Sequence, residues 1–144
     1  SGAPPDSDPL RRYIDPASGT DEAGTLRTTT YNDFPRLRWL GAAGGSTPLF
    51  ADANVGRWFC IEVHMKLNNR DEPDGLLEYW IDDRLEAQRR GINWVGGYSD
   101  YGINAVYLEN YWTSVPFSKV QQRYFDNFVV STGRIRCTDP FSAP

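Results

Sequence analysis

The chain has one histidine, one methionine and two cysteines in 144 residues, and each scarcity excludes a class of protein. A single histidine without clustered cysteines leaves no ligand set for an ordinary zinc site. No apolar run approaches the roughly 18 residues of a membrane-spanning helix, and no signal peptide stands in the sequence. There is no glycine-rich phosphate loop, no G-x-S-x-G nucleophile elbow and no N-x-S/T glycosylation sequon. No internal repeat and no apolar stripe of helical period appear either. Basic residues are in deficit: a net charge of −4 and a pI near 4.9 exclude the positive surface that a nucleic-acid partner requires.

What is present is hydrophobic and aromatic enough for a packed domain, with five Trp and eight Tyr in a chain long enough for one two-layer core. Residues 1–24 hold Pro4, Pro5, Pro9 and Pro16 among acidic side chains with almost nothing apolar, so they read as an irregular N-terminal arm. Residues 25–144 read as the β domain. Strands are expected at 26–31, 36–40, 47–50, 57–67, 76–82, 84–90, 103–112 and 124–131, with a closing stretch at 133–137. Turn signals separate them, notably Asp74-Gly75 and Asp82-Asp83. The expected fold class is all-β, a two-sheet antiparallel β-sandwich.

Residues 57–67 organise the rest. With a period of two, Phe59, Ile61, Val63, Met65 and Leu67 form an apolar face, expected to be sealed between two layers. Trp58, Cys60, Glu62, His64 and Lys66 form the opposite row, either a solvated outer face or the floor of a binding groove. Residues 76–82 repeat the pattern, with Glu78, Trp80 and Asp82 opposite Leu77, Tyr79 and Ile81. In 103–112, Tyr107, Glu109 and Tyr111 share a face. In 36–40, Arg36 and Arg38 do, opposite Leu37 and Trp39. The loop 91–102, with Trp94, Tyr98 and Tyr101, suits a binding rim or the cap of a core end. Cys60 and Cys137 could form one bridge, which would favour an extracellular setting. Parity counts against it, since Cys60 lies on the polar row while Cys137 shares parity with Ile135, expected to be buried.

The face so collected, Glu62, His64, Lys66, Glu78, Trp80, Tyr107, Glu109 and Tyr111 with Arg36 and Arg38 at its margin, suits an acidic polysaccharide. Aromatic rings stack on sugar faces, carboxylates accept from hydroxyls, and Arg or Lys pairs with uronate or sulfate. His64 or Tyr107 could remove the C5 proton of a uronate in β-elimination, with Lys66 or Arg38 neutralising its carboxylate. Glu62 and Glu78 on neighbouring strands would suit glycoside hydrolysis, a lesser reading. No cofactor is expected. Asp71, Asp74, Asp82, Asp83 and Asp126 could offer oxygens to calcium, but no EF-hand spacing occurs, and surface acids at turns are the simpler account.

The stretches VGRWFCIEVHMKLN (55–68), DGLLEYWIDDR (74–84), GINAVYLENYW (102–112) and YFDNFVVST (124–132) together resemble the concanavalin-A-like jelly rolls. Within that group they are similar to polysaccharide lyases of the glucuronan and heparin lyase type and to related bacterial secreted proteins. The resemblance spans residues 36–136. It implies a jelly-roll sandwich, secretion, and a concave sheet with Glu62, His64, Lys66 and Tyr107 as groove residues. Such lyases are commonly longer, with further N-terminal strands that complete the groove. Here the proline-rich arm stands in that place, as in a reduced or processed form, and an open sheet edge able to pair with other chains is expected. Two competing readings follow: a non-catalytic carbohydrate-binding module with Trp80, Tyr107 and Tyr111 as its platform, and a self-assembling structural protein.

Overall fold

The structure, a computed structural model, describes residues 11, 13–98, 100–109 and 122–137. Among them the chain forms seven strands: β1 (Tyr13–Ile14), β2 (Ala17–Ser18), β3 (Arg38–Trp39), β4 (Ala43–Gly44), β5 (Ile61–Lys66), β6 (Gly75–Ile81) and β7 (Arg84–Ile92). Its helical pieces are short 3-10 turns at Phe34–Arg36 and Asp52–Asn54. The architecture is all-β and antiparallel throughout. Strands β5, β6 and β7 form one sheet in that order, and β1–β4 and β2–β3 form two-stranded ribbons.

The sheet follows from its sequence. Residues 75–92 are a hairpin because Asp82 and Asp83 both adopt positive φ, 47° and 64°. That pair of left-handed residues gives a tight turn whose twist matches the strands it joins. Across the β5–β6 ladder, Glu62 faces Trp80, His64 faces Glu78 and Lys66 faces Leu76, while Ile61, Val63 and Met65 face Ile81, Tyr79 and Leu77. Residues opposed across a ladder share a side of the sheet, so the two rows read from residues 57–67 lie on opposite sides. Gly75 has to be glycine: a Cβ there would lie 2.4 Å from the Ile92 carbonyl oxygen.

The apolar side is covered mainly over β6 and β7, where β1 and β4 pack. The core gathers Ile14, Leu77, Tyr79, Ile81, Ala87, Ile92, Trp94 and Val95, with Leu40, Phe59 and Leu67 against it. Strand β5 lies at the sheet's edge, beyond that cover. Ile61, Val63 and Met65 remain 45%, 60% and 38% exposed, which corrects the expectation that this row is sealed. Parity assigned the side correctly but could not say whether anything lies over it.

Other expectations are corrected too. Residues 13–20, read as part of an irregular arm, supply β1 and β2 and bury Ser18 and Thr20. Ser18 donates to the Trp94 carbonyl. Residues 26–31 form no strand beyond an isolated bridge from Leu26 to Thr20. There the Asp21 carboxylate accepts from the Thr25 N–H and from Arg27, a local alternative that outcompetes a ladder. The expected strand at 36–40 shrinks to Arg38–Trp39, and 47–50 turns instead of extending. Residues 103–109, 124–131 and 133–137 carry no strand; alternation makes a segment fit for a sheet but supplies no partner.

Glu86 on β7 fixes the loop that begins at Ser46. Its side chain is 1% exposed and accepts from the N–H groups of Ser46 (2.6 Å) and Thr47 (2.9 Å), from Thr47 Oγ1 (2.7 Å) and from Arg84 Nε (2.8 Å). Burial alone would raise its pKa, but the bonds from Thr47, Arg84 and Ser46 outweigh it and bring the carboxyl from 4.5 down to about 2. Because the folded value is the lower one, this stabilisation is fully present above about pH 4.5 and is lost as the pH falls towards 2. Glu86→Gln is expected to cost on the order of 2–3 kcal/mol at pH 7. It should also flatten the acid limb of stability between those pH values, as measured by urea unfolding.

Candidate functional site

The outward side of β5–β6–β7 holds a histidine–carboxylate pair at its centre. Glu78, in the middle strand, has a side chain only 9% exposed, whereas that of His64 on the edge strand is 41% exposed. His64 Nδ1 lies 3.0 Å from Glu78 Oε2. On the other flank Gln88 donates to Glu78 Oε1, and Arg90 Nη2 stands 3.5 Å from the same oxygen. The β6–β7 register dictates this, since Glu78 faces Gln88 and Leu76 faces Arg90. Burial resists ionisation of Glu78, yet the bonds from His64 and Gln88 and the charge of His64 hold its pKa below the usual carboxylate range.

An ionised carboxylate only accepts hydrogen bonds, so Nδ1 must carry the proton of this contact. In the neutral ring the lone pair is then on Nε2, for which no hydrogen-bond partner occurs among the described residues. A buried acid orienting an imidazole with its far nitrogen open is the arrangement by which a histidine acts as a general base.

The surroundings divide the expected site residues into two groups. Lys66 extends the row but is paired with Asp74, Nζ to Oδ2 2.7 Å. Glu62 is turned to structure: it accepts from the Ile135 N–H at 3.1 Å and from Arg134 Nε at 3.2 Å. Trp80 lies beneath the Arg134 guanidinium, 3.5 Å from the ring centroid. Its indole N–H is buried and reaches no acceptor in hydrogen-bond geometry, although it adds to the field that lowers the Glu78 pKa. Since Glu62 stands opposite Trp80, the two glutamates are diagonal neighbours with separate partners, which leaves no open carboxylate pair for hydrolysis.

The remaining candidates lie elsewhere. Tyr107 and Glu109 are grouped with Tyr31: its ring is 5.9 Å from that of Tyr107, and its hydroxyl donates to Glu109 at 2.5 Å. No hydrogen bond, ion pair or ring contact links either residue to β5–β7 among the described residues. Arg38 ties loops together through the carbonyls of Thr20 and Asn93. Arg36 ends a 3-10 turn and pairs with Asp33. Tyr111 lies outside the described residues. Trp94 belongs to the core, donating from Nε1 to the Lys66 carbonyl, so the loop 91–102 caps a core end. Among the described residues no cluster of three or more potential metal ligands occurs.

The sequence reading missed Gln88, Arg90 and Arg134. Alternation carried across the Asp82-Asp83 turn would have set Ala87 and Arg89 there instead; a register shift between Tyr79 and Trp80 brings Gln88 opposite Glu78 and Arg90 opposite Leu76. Arg134 arrives through Cys60–Cys137, which are bridged with Cα atoms 5.7 Å apart. The parity argument against that bridge failed at Cys137, which sits in an irregular segment where parity has no meaning. The two half-cystines are held by the hairpin turn: the Cys60 N–H donates to Asp82 Oδ1 at 3.0 Å and the Cys137 N–H to Asp83 Oδ1 at 3.1 Å. A depression of ≈ 710 Å³ lies at Thr47, Asn54, Phe59 and Arg84 and includes neither His64 nor Glu78; a flat sheet face is not a cavity.

Compared with known proteins, the chain matches no family model, no curated protein and no solved structure. The geometry of the polar face therefore carries the functional reading alone.

Proposed function

We propose that this protein binds an acidic polysaccharide on the outward face of β5–β7 and cleaves it by β-elimination. The single observation that carries the reading is the His64–Glu78 pair, oriented through Nδ1 and open at Nε2. In the proposed step Nε2 takes the C5 proton of a uronate, the C4–C5 double bond forms, and the C4–O bond breaks. The imidazolium then returns its proton to the departing oxygen. Arg90, with a side chain 70% exposed beside Glu78, and Lys66 are the cations that would neutralise the uronate carboxylate. Tyr107 has no part in this version, because it is held with Tyr31. Incubation with polygalacturonate, alginate and heparin should give an unsaturated product absorbing near about 235 nm, lost in His64→Ala. Retained binding without that absorbance would make the protein a binding module, and absence of both would end the proposal.

The architecture we infer for the whole domain is a closed, jelly-roll-like β-sandwich of the concanavalin-A type, secreted into an oxidising compartment, as the disulfide favours. Support comes from apolar side chains that are each left exposed: Val63 on β5, Val106 and Leu108, and Phe125, Phe128 and Val130. A second layer drawn from 103–109 and 123–131 would bury them. Amide hydrogen exchange tests this directly. Those segments should exchange as slowly as β6 in dilute protein; slowing only at high concentration would show instead that copies pair through the β5 edge.

A further inference from the structure

We infer that residues 134–137 form an intramolecular cover over one end of the polar face, with Arg134 occupying the surface of Trp80 that a sugar ring would otherwise stack on. This deepens the polysaccharide reading and rests on it for the nature of the ligand. The guanidinium carbon lies over the indole, 3.5 Å from the ring centroid, and the group is held by two carboxylates, Nε to Glu62 at 3.2 Å and Nη2 to Asp83 at 3.4 Å. The backbone on either side is also fixed. The Ile135 N–H donates to Glu62 and the Cys137 N–H to Asp83, and the disulfide anchors the end of the segment beside β5.

Charge decides between a cover and a ligand-binding arginine. Two carboxylates already surround the Arg134 cation, so the cluster is net negative and offers no pull on a uronate or sulfate. An aromatic platform beside a histidine base is what a polysaccharide site would use, and here a side chain of the same molecule takes it. A sugar ring at Trp80 must first displace Arg134, so the cover weakens binding at that position and leaves the His64 end open.

Arg134→Ala uncovers the indole. Acrylamide quenching of tryptophan emission should increase relative to the unaltered protein, and the increase should vanish when Trp80→Phe is added. Polygalacturonate affinity should rise about fivefold to tenfold, the factor that loss of a cation–π contact of this kind corresponds to. Arg134→Lys keeps the charge but not the flat guanidinium and should fall between the two; it supplies the same comparison if the alanine variant fails to fold. Unchanged quenching would overturn the inference, as would raised quenching with unchanged affinity for a polymer that both proteins bind. If quenching rises and neither protein binds polygalacturonate, alginate or heparin, the cover stands and the polysaccharide reading fails.

Discussion

Replacing His64 with alanine should lower turnover of a uronate polymer by about 10²- to 10⁴-fold, the usual contribution of a positioned general base. The fold should survive, because the imidazole is partly exposed and Glu78 keeps its bond from Gln88 and the nearby Arg90. Glu78→Gln should slow the reaction by a similar order while leaving the imidazole in place. A carboxamide can accept from Nδ1 through its oxygen, but it carries no charge to support the imidazolium that forms when the C5 proton is taken. Steady-state rates followed by product absorbance, with thermal unfolding as a folding control, separate these effects. If both variants kept more than about a third of the rate, His64 would not be the base.

Opening the disulfide should cause the largest loss of stability. Cys60 and Cys137 are 77 residues apart in sequence, and in the chain-entropy account a closed loop of that length is worth about 4.5 kcal/mol at 25 °C. For a domain of this size roughly 3 °C accompanies each kcal/mol, so Tm should fall by about 13 °C in Cys60→Ser/Cys137→Ser. The turn adds to that loss. Asp82 and Asp83 each accept the N–H of one half-cystine, and the bond from Cys137 to Asp83 is lost if residues 134–137 leave. A fall of only about 1–2 °C would mean that residues 134–137 are not held on the sheet as described.

How far the sequence could be read depends on how local the deciding physics is. The β6–β7 hairpin was legible because Asp82-Asp83 and the flanking alternation fix it within a few residues. The two faces of β5 were legible too, since side-chain period is a property of the strand itself. Burial of Ile61, Val63 and Met65 was not, because it depends on what another part of the chain lays over them. His64 beside Glu78 required the register between strands, which alternation leaves free, while Tyr107 beside Tyr31 joins segments 76 residues apart by number. Arg38 shows a different limit: an arginine next to a predicted groove looks like a ligand contact, yet two backbone carbonyls claim it. The Pro-rich start misled because prolines and acids mask short pairings such as Ala17 with Trp39.

The central claim is that Glu78 holds His64 through Nδ1–H and so leaves Nε2, in the neutral ring, facing the open side of the sheet. With a single histidine in the chain, nitrogen NMR of histidine-labelled protein gives one pair of ring signals and no assignment problem. The account predicts the Nδ1–H tautomer in the neutral ring, with the Nε2 signal shifting selectively when oligogalacturonate is added. An Nε2–H tautomer, or an Nε2 signal indifferent to every uronate oligomer tried, would contradict it.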